Sequence, residues 1–504
     1  MEKIMDEIEY KKAKEDWVTG HDGGSMWEVF FIVCVLLNSF VLWSATEKYA
    51  KIFNYASNNT ISNFLLEYMF LIIPNLLSCT LLADYAFYLN VILLISTFVI
   101  IRNSSVKLIN DDNEKKKKRW ESDSDDDLIE LSVNEEKSDD KDLAGADYKS
   151  QEININKIRR KPFLSAYRSC LMILTCLSIL AVDFRVFPRR LAKTETYGTS
   201  LMDLGVGSFV FSSGIVAAQP FLKKPENRFK PFKGQLLKAV KQAFPILTLG
   251  FIRLMMVKGV DYQEHASEYG IHWNFFFTLG FLPIFVTICR TAHKYIRFSI
   301  LGLSIAVLYQ IILYGLGLEY YILNAPRTDL ISSNKEGICS FWDIGHYILP
   351  VDPYYAIRQN RKTKKPKPKK LAMILFSWAI LLWLGFIFCV ILRIPVSRRI
   401  ANLSYIFLVV SCNTTVLLLF QIVEIVFFEN YWKNERNLPL IFEAVNSNGL
   451  AIFLLANILT GLVNLSIRTL FVNDGLAECI LAAYMFVIVA IAVWFNINDW
   501  KFKL

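Results

Sequence analysis

Asp183, Arg185, Arg189, Arg190, Lys193 and Glu195 follow one another in the stretch DFRVFPRRLAKTET. A carboxylate at a low-dielectric edge can have its pKa raised toward neutrality and take a proton as a general base. A neighbouring cation can hold that carboxylate in place or stabilise a developing oxyanion. Arg189 and Arg190 are suited to phosphate, which a guanidinium can grip with two parallel hydrogen bonds. A second reading competes with this one: an interfacial loop whose Arg and Lys meet lipid headgroups. A separate polar stretch, DYQEHASEYGIHWNFF, carries Glu264, His265, His272 and Asn274. Its histidines titrate near neutral pH, so either could serve as the base instead. Arg168 and Asp203 lie within or near apolar segments, where an unpaired charge is costly, and are expected to be paired supports of the site.

The elements that must position these groups are apolar. Leu164–Val182 and Leu201–Ala218 flank the charged stretch. Each is about as long as a hydrocarbon core of ~30 Å requires. The whole chain has 504 residues, of which 54% are hydrophobic and 20% charged. Such a composition indicates a polytopic membrane protein, and helix is the only sensible state for lipid-exposed spans. About thirteen spans are expected, at 26–46, 63–83, 86–102, 164–183, 201–221, 239–257, 271–289, 296–316, 337–351, 371–393, 402–428, 448–468 and 478–496. The chain reads as one membrane-embedded domain over residues 1–504.

The net charge of +9 resides mainly in loops and speaks to topology rather than to nucleic acid. The basic runs KKKKR at 115–119, KKPENRFKPFK at 223–233 and RQNRKTKKPKPKK at 358–370 fall in alternate loops. The positive-inside rule places them in the cytosol, with the N-terminus lumenal and the C-terminus cytosolic. An insert at about 104–160, basic and then acidic, is too polar to bury a core and is expected to be disordered. A basic cytosolic linker occupies about 356–370. The nine cysteines form no CxxC pair, and nothing suggests a bound metal. No P-loop, GxGxxG, HExxH or GxSxG motif occurs. Gly205 and Gly207 fall inside an apolar segment, where they favour close helix packing over phosphate binding.

Several long motifs together resemble one family. They are KEDWVTGHDGGS (14–25), the run AVDF…FPRRLAKTETYGTSLMDLGVGSFVFS (181–212), DYQEHASEYGIHWNFFFTL (261–279), NKEGI (334–338), VSRRIANLSY (396–405) and NSNGLAIFLLANILTGLVNLSI (446–467). In this order they resemble the eukaryotic inositol acyltransferases of glycosylphosphatidylinositol (GPI) anchor biosynthesis, in their fungal form. The resemblance implies a multi-pass endoplasmic reticulum membrane enzyme that acylates the inositol 2-hydroxyl of glucosaminyl-phosphatidylinositol. The donor would be acyl-coenzyme A, typically palmitoyl-CoA, as co-substrate, with no cofactor or obligate protein partner.

It also implies an aspartate–lysine catalytic pair at Asp183 and Lys193, the first as general base and the second as its electrostatic partner. Arg189, Arg190, Tyr197, Glu264, His265, His272 and Asn274 would line the substrate site. Three other classes remain open on the residues alone. A lipid transporter predicts duplicated halves, which the sequence does not show. A non-catalytic scaffold predicts polar motifs spread over both faces. A membrane acyltransferase built on a buried histidine would depend on His265 or His272.

Overall fold

A computed structural model describes residues 7–50, 60–122, 162–217, 232–259, 267–289, 296–340, 368–428 and 438–502. Over these residues the chain is α-helical, with no strand. An N-terminal helix, α1 (Glu7–Val18), is polar and precedes α2 (Met26–Ala45). Then come α3 (Thr60–Cys79), α4 (Ala86–Ser122), α5 (Pro162–Ala181), α6 (Leu201–Ala217), α7 (Phe232–Gly259), α8 (Phe275–Cys289) and α9 (Phe298–Gly315). Three short helices follow, α10 (Leu318–Asn324), α11 (Leu330–Ser333) and α12 (Lys335–Cys339). The chain closes with α13 (Pro368–Ile391), α14 (Leu403–Phe427), α15 (Leu440–Ser447), α16 (Gly449–Ser466) and α17 (Asp474–Ile497).

Among the described residues, nine helices are long and apolar enough to cross a membrane: α2, α3, α4, α5, α9, α13, α14, α16 and α17. Helices α6 and α8 are apolar but shorter. Helix α7 covers the expected span at 239–257 but carries Pro245 in its interior and charged residues along its length. The expected span at 337–351 begins in α12 and otherwise falls in 341–367, outside the described residues.

Helix α14 is the axis of the bundle. Its span is 78% buried, against 67% for α2 and α5 and 22% for α4 and α16. The outer helices show lipid an apolar stripe: Ile380, Leu384, Ile387 and Ile391 of α13 recur at helical spacing and are all exposed. At the axis Phe40 of α2 stacks on Phe442 of α15 at 5.7 Å and meets Phe420 of α14 at 5.5 Å. Gly207 of α6 allows a close crossing, since a Cβ there would lie 2.6 Å from the Val409 side chain of α14. Gly205 would meet nothing within 4 Å, so only one of the two glycines serves packing.

Buried carboxylates finish buried helix ends. Glu67, with no exposed surface, accepts from the first-turn amides of α15, Leu440 N at 2.8 Å and Ile441 N at 2.9 Å. Glu424 accepts from Phe163 N at the start of α5 at 3.1 Å. Amides at a helix start have no intrahelical partner, and negative charge is favoured there.

Helix α4 runs on through Ser122, into the stretch that begins at about 104. Adding residues to an established helix avoids the cost of nucleation, and the Lys and Glu residues of this stretch are good helix formers. Residues 123–161 and the linker at 356–367 lie outside the described residues.

Candidate active site

Helix α5 ends at Ala181, and the chain leaves it in consecutive tight turns: Asp183 N donates to Leu180 O and Phe184 N to Ala181 O. Phe184, Phe187 and Leu191 are fully buried and act as plugs that pull the loop down onto the helix ends. Their spacing sends the intervening polar residues elsewhere. Pro188 precedes a single 3-10 turn at Arg189–Leu191.

Asp183 is buried, with 6% of its surface exposed. Its Oδ2 accepts from Asn464 Nδ2 of α16 at 2.7 Å. Its Oδ1 lies 3.5 Å from Lys14 Nζ of α1. Lys14 Nζ also donates to Asn464 Oδ1 at 2.6 Å. A lysine, an aspartate and an asparagine from three distant parts of the chain thus close a ring. Burial pushes the Asp183 carboxyl above the ordinary carboxylate range, while Lys14 and Asn464 oppose that rise.

Lys193 stands in a different ion pair. Its Nζ donates to Glu268 Oε2 at 2.7 Å, with both side chains about a quarter exposed. The cation that contacts Asp183 is Lys14. The two arginines are engaged within the protein. Arg189 donates to the carbonyls of Asp16 and Trp17 and lies over the Trp17 ring at 4.2 Å, which docks the end of α1. Arg190 donates to Glu28 of α2 at 2.8 Å and to Asp84. Tyr197 OH donates to Glu319, and burial together with that carboxylate pushes the phenol well above its ordinary value.

His272 is held by Asn334, whose Oδ1 accepts from the His272 amide at 2.8 Å. Asn274 has a local role. Its Oδ1 accepts from Phe276 N at 3.1 Å, capping α8, and its Nδ2 donates to Gly250 O. Arg168 lies in α5, half-buried. Glu264 and His265 lie outside the described residues.

Asp203 is the hub of the loop layer. Its Oδ1 accepts from Arg398 Nε at 2.6 Å. Its Oδ2 accepts from Thr194 N at 3.1 Å, Thr194 Oγ1 at 2.7 Å and Ser200 Oγ at 2.9 Å. Tyr405 OH donates to the Asp203 carbonyl at 2.8 Å. Aspartate and arginine are both nearly fully buried. A second buried carboxylate, Glu336, receives Arg327 at 2.6 Å and Arg399 at 2.9 Å.

Backbone bonds join the motif-bearing loops to one another. Glu195 N donates to His21 O, Gly24 N to Thr199 O, Gly198 N to Val396 O and Gly337 N to Tyr269 O. The motifs therefore meet on one end of the bundle. Gly198 has a positive φ of 126°, and a Cβ there would overlap the Asp22 carbonyl. Gly198→Ala is expected to loosen the His21–Gly24 strap at a cost of about 1–3 kcal/mol, read as a lower melting temperature in detergent. An unchanged melting temperature would count against the strap.

Below the strap lies a narrow, largely apolar crevice. Its wall includes Met26, Val29 and Phe30 of α2, Asp203 and Leu204 of α6, and Tyr405 and Leu408 of α14. Among the described residues no group of three His, Cys, Asp or Glu side chains is placed to hold a metal.

Fold and site together define a polytopic all-α membrane protein whose motif-bearing loops meet at one end of the bundle. The GWT1 family model matches residues 10–495, and the chain belongs to that family, one of GPI-anchor biosynthesis. Its relatives named GPI-anchored wall transfer protein 1 include those of Gibberella zeae, 36% identical over 99% of this chain and 100% of the relative, and of Yarrowia lipolytica, 38% identical over 98% and 99%. That of Schizosaccharomyces pombe is 39% identical over 69% of this chain and 74% of its own length. The family resemblance read from the motifs is thereby confirmed.

The residues that sequence reasoning passed over are Lys14, Asn464, Arg398 and Glu336. Each lies inside a motif quoted above. Asn464, a polar side chain near the end of an apolar helix, gave the clearest signal.

Proposed function

We propose that the chain transfers an acyl group from acyl-CoA to the inositol 2-hydroxyl of glucosaminyl-phosphatidylinositol in the endoplasmic reticulum membrane. The observation that carries this reading is the buried Asp183 carboxylate at the end of a membrane helix, inside the family's longest motif. An inositol hydroxyl is a poor nucleophile until its proton is removed. Asp183 takes that proton as the hydroxyl oxygen attacks the thioester carbonyl. A C–O bond forms, the C–S bond breaks, and the proton passes from Asp183 to the departing coenzyme A thiolate. The aspartate ends ionised, ready for another cycle.

Lys193 supplies positive charge to the oxyanion. An ammonium has three donors, and Glu268 occupies one of them. The narrow crevice between α2, α6 and α14 is mainly apolar, with the Arg398-paired Asp203 in its wall, and it would have to widen to admit an acyl chain. Arg189 and Arg190 hold α1 and α2 to the catalytic loop.

The test is acyl transfer by the purified full-length protein from labelled palmitoyl-CoA to glucosaminyl-phosphatidylinositol. Labelled inositol ester is expected only when both substrates are present. Lys193→Ala is expected to lose about 10²–10³-fold in rate, the magnitude of a lost oxyanion donor. Absence of ester from folded wild-type protein would overturn the assignment. Full activity of Lys193→Ala would remove the lysine from the mechanism.

A further inference from the structure

The Asp183 ring contains two groups that the proposed mechanism has not used. Lys14 is supplied by α1, and it is 8% exposed despite lying in a polar helix. Its ammonium is divided between the Asn464 carbonyl oxygen at 2.6 Å and the Asp183 carboxylate at 3.5 Å. Asn464 in turn has both ends engaged: its oxygen receives Lys14, and its amide reaches Asp183 Oδ2 at 2.7 Å. This closed ring fixes which way the asparagine amide points. The contact to Oδ1 is longer, a charge contact rather than a short hydrogen bond, so Oδ1 keeps lone-pair capacity for an incoming proton.

We propose that Lys14 and Asn464 are the positioning residues of Asp183: the lysine charge keeps the carboxylate ionised, and the asparagine turns its Oδ1 toward the substrate. The proposal rests on the reading of Asp183 as general base. The groups facing Asp183 from the elements around it are Lys14 on α1, Asn464 on α16 and Tyr484 on α17, whose hydroxyl donates to Cys176 O at 3.0 Å and Ala456 O at 3.2 Å. Among the described residues, Lys14 is the one cation in that set. Burial alone pushes the Asp183 carboxyl upward, and a base held fully protonated at neutral pH could not work. Lys14 opposes that rise. The N-terminal helix is thus part of the catalytic apparatus rather than a peripheral ornament. Its hold depends on Arg189, which grips the Asp16 and Trp17 carbonyls at its C-terminal end.

The test is the pH profile of acyl transfer by full-length wild type, Lys14→Met, Lys14→Arg and Asn464→Ala. Loss of the Lys14 charge raises the carboxyl further, so the acid limb of Lys14→Met is expected to move up by about one pH unit. Activity then falls about tenfold at pH values on the acid limb, below both pKa values, and recovers as pH rises above it. Lys14→Arg restores the charge and is expected to return the limb toward wild type. Asn464→Ala is expected to shift the limb in the same direction and to lower kcat with little change in KM. A pH-independent loss in Lys14→Met, or an unshifted limb, overturns the proposal.

Melting temperature separates this outcome from failure of the general-base reading. If Asp183→Asn retains activity, that reading falls. The pairing is then judged by whether the pH-dependent melting difference between wild type and Lys14→Met vanishes in the Asp183→Asn background. A difference that persists there overturns the pairing as well.

Discussion

Asp183→Asn is expected to reduce acyl transfer by about 10²–10⁴-fold, the range of a lost general base, while leaving the protein folded. Asparagine has the same shape but cannot take a proton. It still offers a carbonyl oxygen to Asn464, so the ring is disturbed in charge rather than in volume. Lys14 loses its anion but keeps the Asn464 oxygen at 2.6 Å. The variant should melt somewhat lower, because the buried Lys14 ammonium loses its anion, but at temperatures where it is folded the loss should appear in kcat. Activity within a few-fold of wild type would remove Asp183 from the chemistry. The polar face would then have to be searched again from His272 and the region of His265.

The second large effect is structural. Arg398→Leu is expected to destabilise the loop layer by about 3–5 kcal/mol, because breaking a buried pair leaves its other charge uncompensated. Asp203 would keep Thr194 and Ser200 but lose the guanidinium at 2.6 Å. Asp203→Leu should be at least as damaging, since it also frees the Thr194 amide and the Ser200 hydroxyl. The double variant should recover part of the loss, as buried ion pairs replaced whole by apolar groups are often tolerated. Melting temperatures of the two single variants and the double variant give the coupling directly. Additive losses would show that Asp203 and Arg398 do not depend on each other.

The membrane architecture was legible because it rests on apolar run length. Twelve of the thirteen expected spans coincide with helices among the described residues, nine of them long and apolar enough to cross a membrane; the remaining one, at 337–351, falls mostly outside them. Helix α4 extends beyond its apolar run because composition marks where a segment is too polar for a core, not where an existing helix stops. Side-chain partners were less legible. Asp183 and Lys193 lie in one loop, and the family resemblance implied that they act as a pair. The fold instead brings Lys14 and Glu268 to them from distant segments.

Arg189 and Arg190 read as phosphate ligands because guanidinium chemistry is the same whether the acceptor is a phosphate, a carboxylate or a carbonyl. Only geometry shows that their donors are directed at α1, Glu28 and Asp84. Asn274, also polar and motif-borne, caps a helix. Asp203 was expected to be a paired support, and its partner Arg398 sits in a motif whose double arginine gave no hint of which member is buried against it.

The measurement that tests the central claim most directly is the initial rate of acyl transfer against pH, for wild type and Asp183→Asn side by side at matched protein. Asp183 must be ionised to act, and burial places its pKa above the ordinary carboxylate value of 3.8. The wild-type rate is therefore expected to fall as pH drops through that raised value. The residual rate of Asp183→Asn should lack this limb. An acid limb of the same position in both proteins would contradict the account, because the titrating base would then be a group other than Asp183.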